Sequence, residues 1–470
     1  MRKARLKYIT ISILCAIILC ITAFMLFGRG SKELLDPQNP VTLTLWHPYS
    51  QQMEKCMDDL VKEFNDTVGS EKGIIIETTL TAEAAELNEK LMAAVNKEVI
   101  ALDFPDLAVI YPRMGITLAE NDLLVDYTTL FTDSELKQYV PEFIEEGRLG
   151  GDKLYVFPIA KSTEVLYVNK TIFDRFSKDT GVPISQLATM EGILNAADKY
   201  YDWISEKKPG IAKDAKAFFY PVDLMNTAMI GCRQLGEDFI KDRRLNITTP
   251  GFKRIWDAYY PPAVKGRVPI FDGIGNSLFA TGEIVCAAGT TAGITFYPDS
   301  VTYADNTKEK AEYAILPYPV FKGGKKVAMQ RGSGICLFKS DEKKEYAASV
   351  FIKWFTQPEQ NLRFTINTGY IPVTEAAFGE PMEREIEKTE NVNMKKIYET
   401  ISKMQKEYSF YYPPVFDGFE DMQINYAKNI RNAAKNARMK YRSKINNQTP
   451  DEVYKAVFEN AFEKFISTQK

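Results

Sequence analysis

The stretch that decides the fold is LTLWHPYS, residues 43–50. It continues an alternating run from Val41, which predicts a β-strand, and it holds Trp46 and His47, the latter the only histidine in 470 residues. An amphipathic helix is predicted from Gln51 to Phe64, and a second strand (IIIETTL), a second helix (about 83–96) and a third strand (DLAVIY, 106–111) follow. Strands and helices that alternate at these lengths indicate βαβ units and a parallel sheet.

Three conspicuous side chains lie where these predicted strands end. Ligands of parallel α/β sheets bind at the carboxyl ends of the strands, so we expect Trp46, His47 and Tyr111 near a cleft. A single histidine without a partner nucleophile is poor support for acid–base chemistry. No nucleophile elbow or phosphate-binding loop is found in the sequence, so we predict a binding protein with no catalytic residue and no enzymatic activity.

Further apolar strands are predicted at 164–170, 283–289, 312–319 and 333–338, with helices between them. This arrangement predicts two α/β lobes, with the chain crossing between them more than once. We expect residues 41–158 and 312–342 in lobe 1, residues 159–311 and 343–412 in lobe 2, and a C-terminal helical segment over 413–470.

The N-terminus has the composition of a membrane segment. Four basic residues precede about 20 mostly apolar residues from Tyr8 to Phe27, a length that can cross a bilayer as a helix. We expect residues 1–28 to be a retained signal anchor, residues 29–40 to be a linker, and the remainder to lie on the extracytoplasmic face of the membrane. A cleaved signal peptide and a lipidated cysteine are the alternatives.

Charge and cysteine content restrict the partners. Beyond residue 30 the net charge is −8, which gives no general attraction for nucleic acid. The six cysteines are scattered without a CxxC pair, and one histidine cannot build a His-rich zinc site. We therefore expect no metal and no cofactor, and the cysteines read as small buried hydrophobes.

Several motifs are familiar when they are taken together. They are the strand that ends in Trp46-His47, the run from Gly151 to Pro158 with LYVNK (166–170), LFATGE (278–283), and IKWF (352–355) with QPE and TGYIPV (368–373). In this order the chain resembles the family 1 extracellular solute-binding proteins of ABC importers, above all the glycerol-3-phosphate-binding and sugar-binding members. The match extends from about residue 41 to 378.

The resemblance implies a type II periplasmic-binding-protein fold, in which two lobes close over a ligand by domain motion. It implies capture of a sugar, polyol or glycerophospho-compound and delivery to ABC permease subunits. A membrane-tethered sensor that feeds a signalling partner is the alternative function, and a carbohydrate hydrolase is the remaining one. The positions that match ligand-facing positions of the glycerol-3-phosphate binders are Tyr111, Ser162, Thr290, Thr291, Gly332 and Tyr370.

Other candidates stand beside that set. Trp46 and His47 adjoin it, Thr163 continues the polar step at Ser162, and Asp223 stands near a place where those binders have tryptophan. Arg331 occupies a position where they have glycine, and we expect it either to pair with a nearby acid or to bind an anionic or polar ligand group. Pro112 replaces an acid, and the phosphate-gripping arginine has no match in FDGFEDMQ (416–423), so the sequence leaves the ligand open.

One charged segment is not explained by the resemblance. From Met422 to Pro450 there are seven basic residues and no acid. The pattern predicts either a solvated helix face or a contact with anionic lipid headgroups or with the permease.

Overall fold

The computed structural model describes residues 34–98, 102–149, 151–207, 216–273, 275–416 and 418–469. The predicted anchor at 1–28 and the first part of the linker lie outside these residues. Within the described ranges, no helix is both long enough and apolar enough to cross a membrane.

The described strands are numbered in chain order. They are β1 (Val41–His47), β2 (Ile74–Leu80), β3 (Leu107–Ile110), β4 (Ser162–Asn169), β5 (Ala217–Tyr220), β6 (Ile240–Lys241), β7 (Arg244–Leu245), β8 (Ile284–Thr290), β9 (Ser300–Thr302), β10 (Lys308–Lys310), β11 (Tyr313–Pro317), β12 (Val327–Arg331), β13 (Gly334–Leu337) and β14 (Ser409–Tyr411).

The described α-helices of four or more residues are given by their bounds. They are Gln52–Phe64, Ala84–Val95, Pro112–Glu120, Asp133–Leu136, Pro141–Gly147, Lys170–Thr180, Met190–Lys207, Leu224–Gln234, Pro250–Lys265, Gly275–Ala280, Glu342–Phe355, Pro358–Ile366, Glu380–Lys388, Val392–Glu407, Phe419–Lys444, Pro450–Val457 and Ala461–Thr468.

The first sheet has the strand order β13-β3-β1-β2. Strand β1 is parallel to both β2 and β3, which confirms the predicted βαβ units, and β13 is antiparallel to β3. The helix Gln52–Phe64 buries its apolar side, and the Phe64 ring lies 5.1 Å from Phe351 and 5.3 Å from Trp354. The helices that begin at Glu342 and Pro358 therefore cover this sheet.

The second sheet is mixed and has the order β14-β12-β4-β8-β5, with β11 also paired to β4. Every residue of β4 is buried because the strand is central and both of its faces are covered. That burial explains why the middle of the strand, VLYV (165–168), is continuously apolar instead of alternating. The helix Val392–Glu407 packs on β11, and the helix Met190–Lys207 packs on β5.

Two segments lie with the other sheet than the one we expected. Strands β11 and β12, which fall within 312–342, pair with β4 in the second sheet, and only β13 joins the first. The helices over 342–366, expected in lobe 2, pack against β1 and the helix Gln52–Phe64. Local sequence pattern shows that a strand exists, but long-range pairing selects the sheet that the strand joins.

Candidate functional site

Three chain segments meet between the two sheets. The first precedes β4 at Lys161, the second joins β12 to β13 at Gly332 and Ser333, and the third is the turn at Tyr370 and Ile371. Lys161 and Ile371 exchange backbone hydrogen bonds, and the Lys161 Nζ donates to the Gly332 carbonyl at 3.0 Å. We call this junction the crossing.

Four hydroxyl-bearing side chains predicted for the site are brought together beside the crossing. The Thr290 hydroxyl donates to Ser162 Oγ at 3.3 Å, and the Thr163 backbone N–H donates to Thr291 Oγ1 at 3.4 Å. The Thr163 hydroxyl donates to the Met329 carbonyl at 2.8 Å. Thr163 and Thr291 are fully buried, so their hydroxyls hold the strand ends together, whereas Thr290 is partly exposed.

Arg331 ends β12 opposite Ser162 and forms an ion pair with Glu164. Arg331 Nη1 is 2.9 Å from Glu164 Oε1, and the same oxygen accepts a bond of 2.7 Å from the Asn226 amide. The Arg331 side chain is 40% exposed while that of Glu164 is 5% exposed. The guanidinium is therefore partly exposed to solvent, while its partner carboxylate is buried.

A second carboxylate, that of Asp223, lies close enough to act on Glu164 electrostatically. Asp223 accepts a bond from the Asn226 backbone N–H at 2.9 Å, which caps the helix Leu224–Gln234, and its other oxygen accepts from the Gln423 amide at 3.1 Å. Burial raises the pKa of the Glu164 carboxyl, Arg331 opposes this effect, and Asp223 adds to it. Two acids and one cation thus lie close together.

Aromatic rings border the polar groups. Tyr111 follows β3, whose last residue pairs with Gly334, and it is 49% exposed. Tyr370 is partly exposed, and its ring lies 6.3 Å from Phe364 and 6.1 Å from Tyr49. Tyr111 therefore offers an open ring face, and Tyr370 is held in place by neighbouring rings.

The Trp46-His47 pair at the end of β1 points to opposite faces of the first sheet. Trp46 packs in an apolar cluster with Leu87 and Leu91. His47 is 1% exposed, and its Nδ1 accepts the Tyr49 backbone N–H at 3.3 Å. Burial lowers the pKa of His47, although Asp58 opposes the effect, so the imidazole is held neutral. Both side chains lie in the interior, and their direct contact with a ligand stays a prediction.

A buried charge cluster at the crossing was not predicted from the sequence. Glu146, in the helix Pro141–Gly147, pairs with Lys161 at 2.5 Å and accepts a bond of 2.6 Å from the Gln330 amide. Glu146 and Gln330 are far apart in sequence, and adjacent acids such as Glu145 and Glu146 usually indicate a solvated helix face. The one available signal was Lys161 itself, since a lysine inside an apolar strand pattern requires a buried partner.

Glu164, Asn226 and Gln423 were also not among the predicted site residues. Asn226 was noted beside Asp223 in the sequence without a role, and no motif marked Glu164 or Gln423, which bind Arg331 and Asp223 from behind. Within the described residues there is no group of three or more His, Cys, Asp or Glu side chains placed to hold a metal ion. The four described cysteines, Cys56, Cys232, Cys286 and Cys336, are buried and unpaired, as predicted; Cys15 and Cys20 lie outside the described residues.

Comparison with known proteins places this geometry in context. Residues 59–394 match the family model of the bacterial extracellular solute-binding proteins. Among curated protein sequences, none matches the chain significantly.

Several solved structures share the fold. The cyclic alpha-maltosyl-1,6-maltose binding protein from Arthrobacter globiformis is 17% identical, with a TM-score of 0.67 over 92% of this chain and 99% of that one. UgpB from Mycobacterium tuberculosis in complex with glycerophosphocholine is 16% identical, with a TM-score of 0.63 over 92% and 98%. An ABC substrate-binding protein from Listeria monocytogenes in complex with cycloalternan is 17% identical, with a TM-score of 0.63 over 92% and 99%.

The family model covers well over half of the chain, and the α/β fold matches that of the two-lobed solute-binding proteins. The chain therefore belongs to the bacterial extracellular solute-binding protein family.

Proposed function

We propose that this protein is the substrate-binding component of an ABC importer and that it captures a neutral sugar or polyol in the cleft beside the crossing. The observation that carries the choice of ligand is the charge balance at Arg331. A guanidinium that already pairs with Glu164, with Asp223 nearby, leaves an excess of negative charge. Such a site disfavours a phosphate and accepts a neutral ligand that donates hydroxyl hydrogen bonds.

The remaining groups suit a saccharide. Carboxylate and guanidinium groups can bond adjacent hydroxyls, and an exposed aromatic ring can stack on the apolar face of a sugar ring. Tyr111 supplies the ring face, while Arg331, Asp223 and Thr290 supply polar atoms. The buried polar partners make the site selective, because a ligand that left them unpaired would lose binding free energy.

Capture would involve motion at the crossing. Three narrow segments connect the two sheets, and closure of two lobes about such a junction is a common response to a ligand between them. We assign lobe 1 to the first sheet with its covering helices and lobe 2 to the second sheet.

The location and partners follow from the same proposal. The apolar segment at Tyr8–Phe27 would hold the protein on the outer face of the cell membrane, where ABC permease subunits would receive the solute. A tethered sensor would use the same cleft, so the ligand experiment below does not separate the two. Uptake of the identified ligand in cells that lack this protein would do so, because loss of a sensor leaves transport capacity in place.

The proposal is tested by a ligand panel read as thermal stabilisation and then by calorimetry. A ligand that binds only the native state raises apparent stability by mass action, by about 2.7 kcal/mol at one hundred times Kd. We expect neutral mono- and oligosaccharides or polyols to raise the Tm, and glycerol phosphate and glycerophosphodiesters to leave it unchanged.

Variants locate the response in the cleft. Tyr111→Ala should weaken binding of the stabilising ligand at least tenfold, whereas Tyr346→Ala, at a tyrosine of similar exposure on the helix Glu342–Phe355, should not. Stabilisation by the phosphate compounds alone, or equal binding by both variants, would contradict the proposed ligand class.

A further inference from the structure

The long helix Phe419–Lys444 carries the acid-free basic run of the sequence. Its buried residues, Tyr426, Ile430, Ala434 and Ala437, lie on one side, and the helix packs against Pro250–Lys265. Two of its cations bind neighbouring segments, since Arg438 donates to the Ala263 carbonyl of that helix at 3.2 Å and Arg431 pairs with Asp272, beyond its end, at 2.9 Å. Part of the basic run is therefore structural.

The opposite side of the helix is exposed and carries both lysines and apolar side chains. Ile424, Lys428, Lys435 and Met439 are exposed, and their spacing of four, seven and four residues places them within about 60° on a helix of 3.6 residues per turn. Ile424 is 57% and Met439 is 58% exposed. We call these four residues the basic stripe. It extends about 22 Å along the helix at 1.5 Å per residue.

A stripe that mixes lysines with large apolar side chains has the chemistry of a bilayer interface. Lysine ammonium groups bind anionic headgroups, while an isoleucine and a methionine at the two ends can enter the boundary with the acyl chains. A solvated helix face accounts for the lysines, whereas a bilayer interface accounts for lysines and apolar side chains on the same side of one helix. An acidic surface of a partner protein would complement the lysines but not the isoleucine and the methionine.

The chain that precedes β1 would keep the folded body within reach of a membrane. The apolar segment ends at Phe27 and β1 begins at Val41, so the connection of 13 residues spans at most about 45 Å when extended. We propose that the basic stripe is a membrane-contact surface that binds anionic phospholipid headgroups, an inference that rests on the proposed attachment through the N-terminal segment.

The test uses the full chain in lipid nanodiscs of neutral phosphatidylcholine or of phosphatidylcholine with phosphatidylglycerol. Lysines are acylated with a water-soluble reagent, and the rate at each lysine is read by mass spectrometry. We expect Lys428 and Lys435 to be acylated several-fold more slowly on anionic discs than on neutral ones, with the difference removed by 0.5 M salt, because surface charge attraction is screened. Lys308 and Lys310, exposed on the β9–β10 ribbon, are the internal controls.

Matched variants keep the two proposals separate. Wild type should bind anionic discs more tightly than neutral ones. The double variant Lys428→Glu with Lys435→Glu should lose this difference, whereas Lys308→Glu with Lys310→Glu, which changes the net charge equally, should keep it. Co-elution of the protein with neutral discs reports attachment through the N-terminal segment. If the protein does not co-elute with neutral discs while anionic discs still protect Lys428 and Lys435, only the proposed attachment is overturned. Equal acylation rates at Lys428 and Lys435 on the two lipids would overturn the membrane-contact surface.

Discussion

Glu146 and Lys161 form a buried ion pair at the crossing, with 2.5 Å between the carboxylate and the ammonium group and side chains that are 8% and 3% exposed. The lysine also donates to the Gly332 carbonyl, and the carboxylate also accepts from Gln330. One pair of charges therefore ties the helix Pro141–Gly147 to two of the three segments of the crossing.

Lys161→Met is expected to destabilise the protein strongly. It leaves the Glu146 carboxylate buried without a counter-charge, a change that typically costs about 3–5 kcal/mol of unfolding free energy. Adding Glu146→Leu should recover much of this loss, because the double variant buries no unpaired charge. Urea denaturation measures both. Lys62→Met, which breaks an exposed pair with Asp66, is the control and should change stability by less than about 1 kcal/mol. Similar losses in the two single variants would show that the crossing pair carries no special role.

Arg331→Met should make stability depend on pH in a defined direction. Burial already raises the pKa of Glu164, and loss of the guanidinium removes the main opposing influence. The folded variant would hold the proton on Glu164 more tightly than the unfolded chain does. Protonation of Glu164 therefore stabilises the folded variant in acid, and this stabilisation is lost as the pH rises through the folded pKa. The variant should therefore be more destabilised, relative to wild type, at pH 8 than at pH 5.

Glu164→Gln combined with Arg331→Met removes the titrating group and should abolish that pH dependence. Thermal unfolding across the pH range measures the three proteins side by side. A pH-independent difference between Arg331→Met and wild type would argue against Glu164 as the source.

The single histidine gives an independent pH prediction. Burial lowers the pKa of His47 from 6.5, so the folded protein binds this proton more weakly than the unfolded chain. Its contribution to stability is complete above pH 6.5 and is lost as the pH falls through the folded pKa. His47→Asn keeps an acceptor for the Tyr49 N–H without the titration, so the stability advantage of wild type over this variant should shrink on acidification.

Because no other histidine is present, NMR of the imidazole reads the same titration directly. A midpoint at or above 6.5 would contradict the burial argument.

Gly332 at the crossing should tolerate no side chain. Its φ is +104°, and an added Cβ would lie 3.0 Å from both the Ala160 carbonyl oxygen and the Lys161 Cα. Gly181 has a φ of +71° but no atom within 4 Å of such a Cβ, so Gly181→Ala tests backbone strain alone. We expect Gly332→Ala to lose more stability than Gly181→Ala by about 1–3 kcal/mol, the usual cost of overpacking. It should also weaken binding of the ligand identified in the panel, whereas an equal loss in both variants would mean that the crossing has room to adjust.

Local pattern was sufficient for the elements that are stabilised locally. The alternation around VTLTLWH, the spacing of Met57, Leu60 and Phe64, and the motif order from Trp46 to Val373 predicted the βαβ start and the family. The resemblance also singled out Ser162, Thr290 and Arg331, which lie close together in neighbouring strands, and their contact with a ligand stays a prediction.

Partners far apart in sequence were decided only by the tertiary structure. The sheet that β11 and β12 join and the pairing of Arg331 with Glu164 depend on contacts across more than a hundred residues. The burial of Lys161 against Glu146 joins a helix and a strand start that no local pattern relates. For His47 the sequence determined that one imidazole follows the first strand, whereas the fold decided that it is buried and neutral. The physical reason is the same in each case: a chain's periodicity specifies which side of a strand or helix is apolar, but burial and charge compensation depend on what the rest of the chain brings to that side.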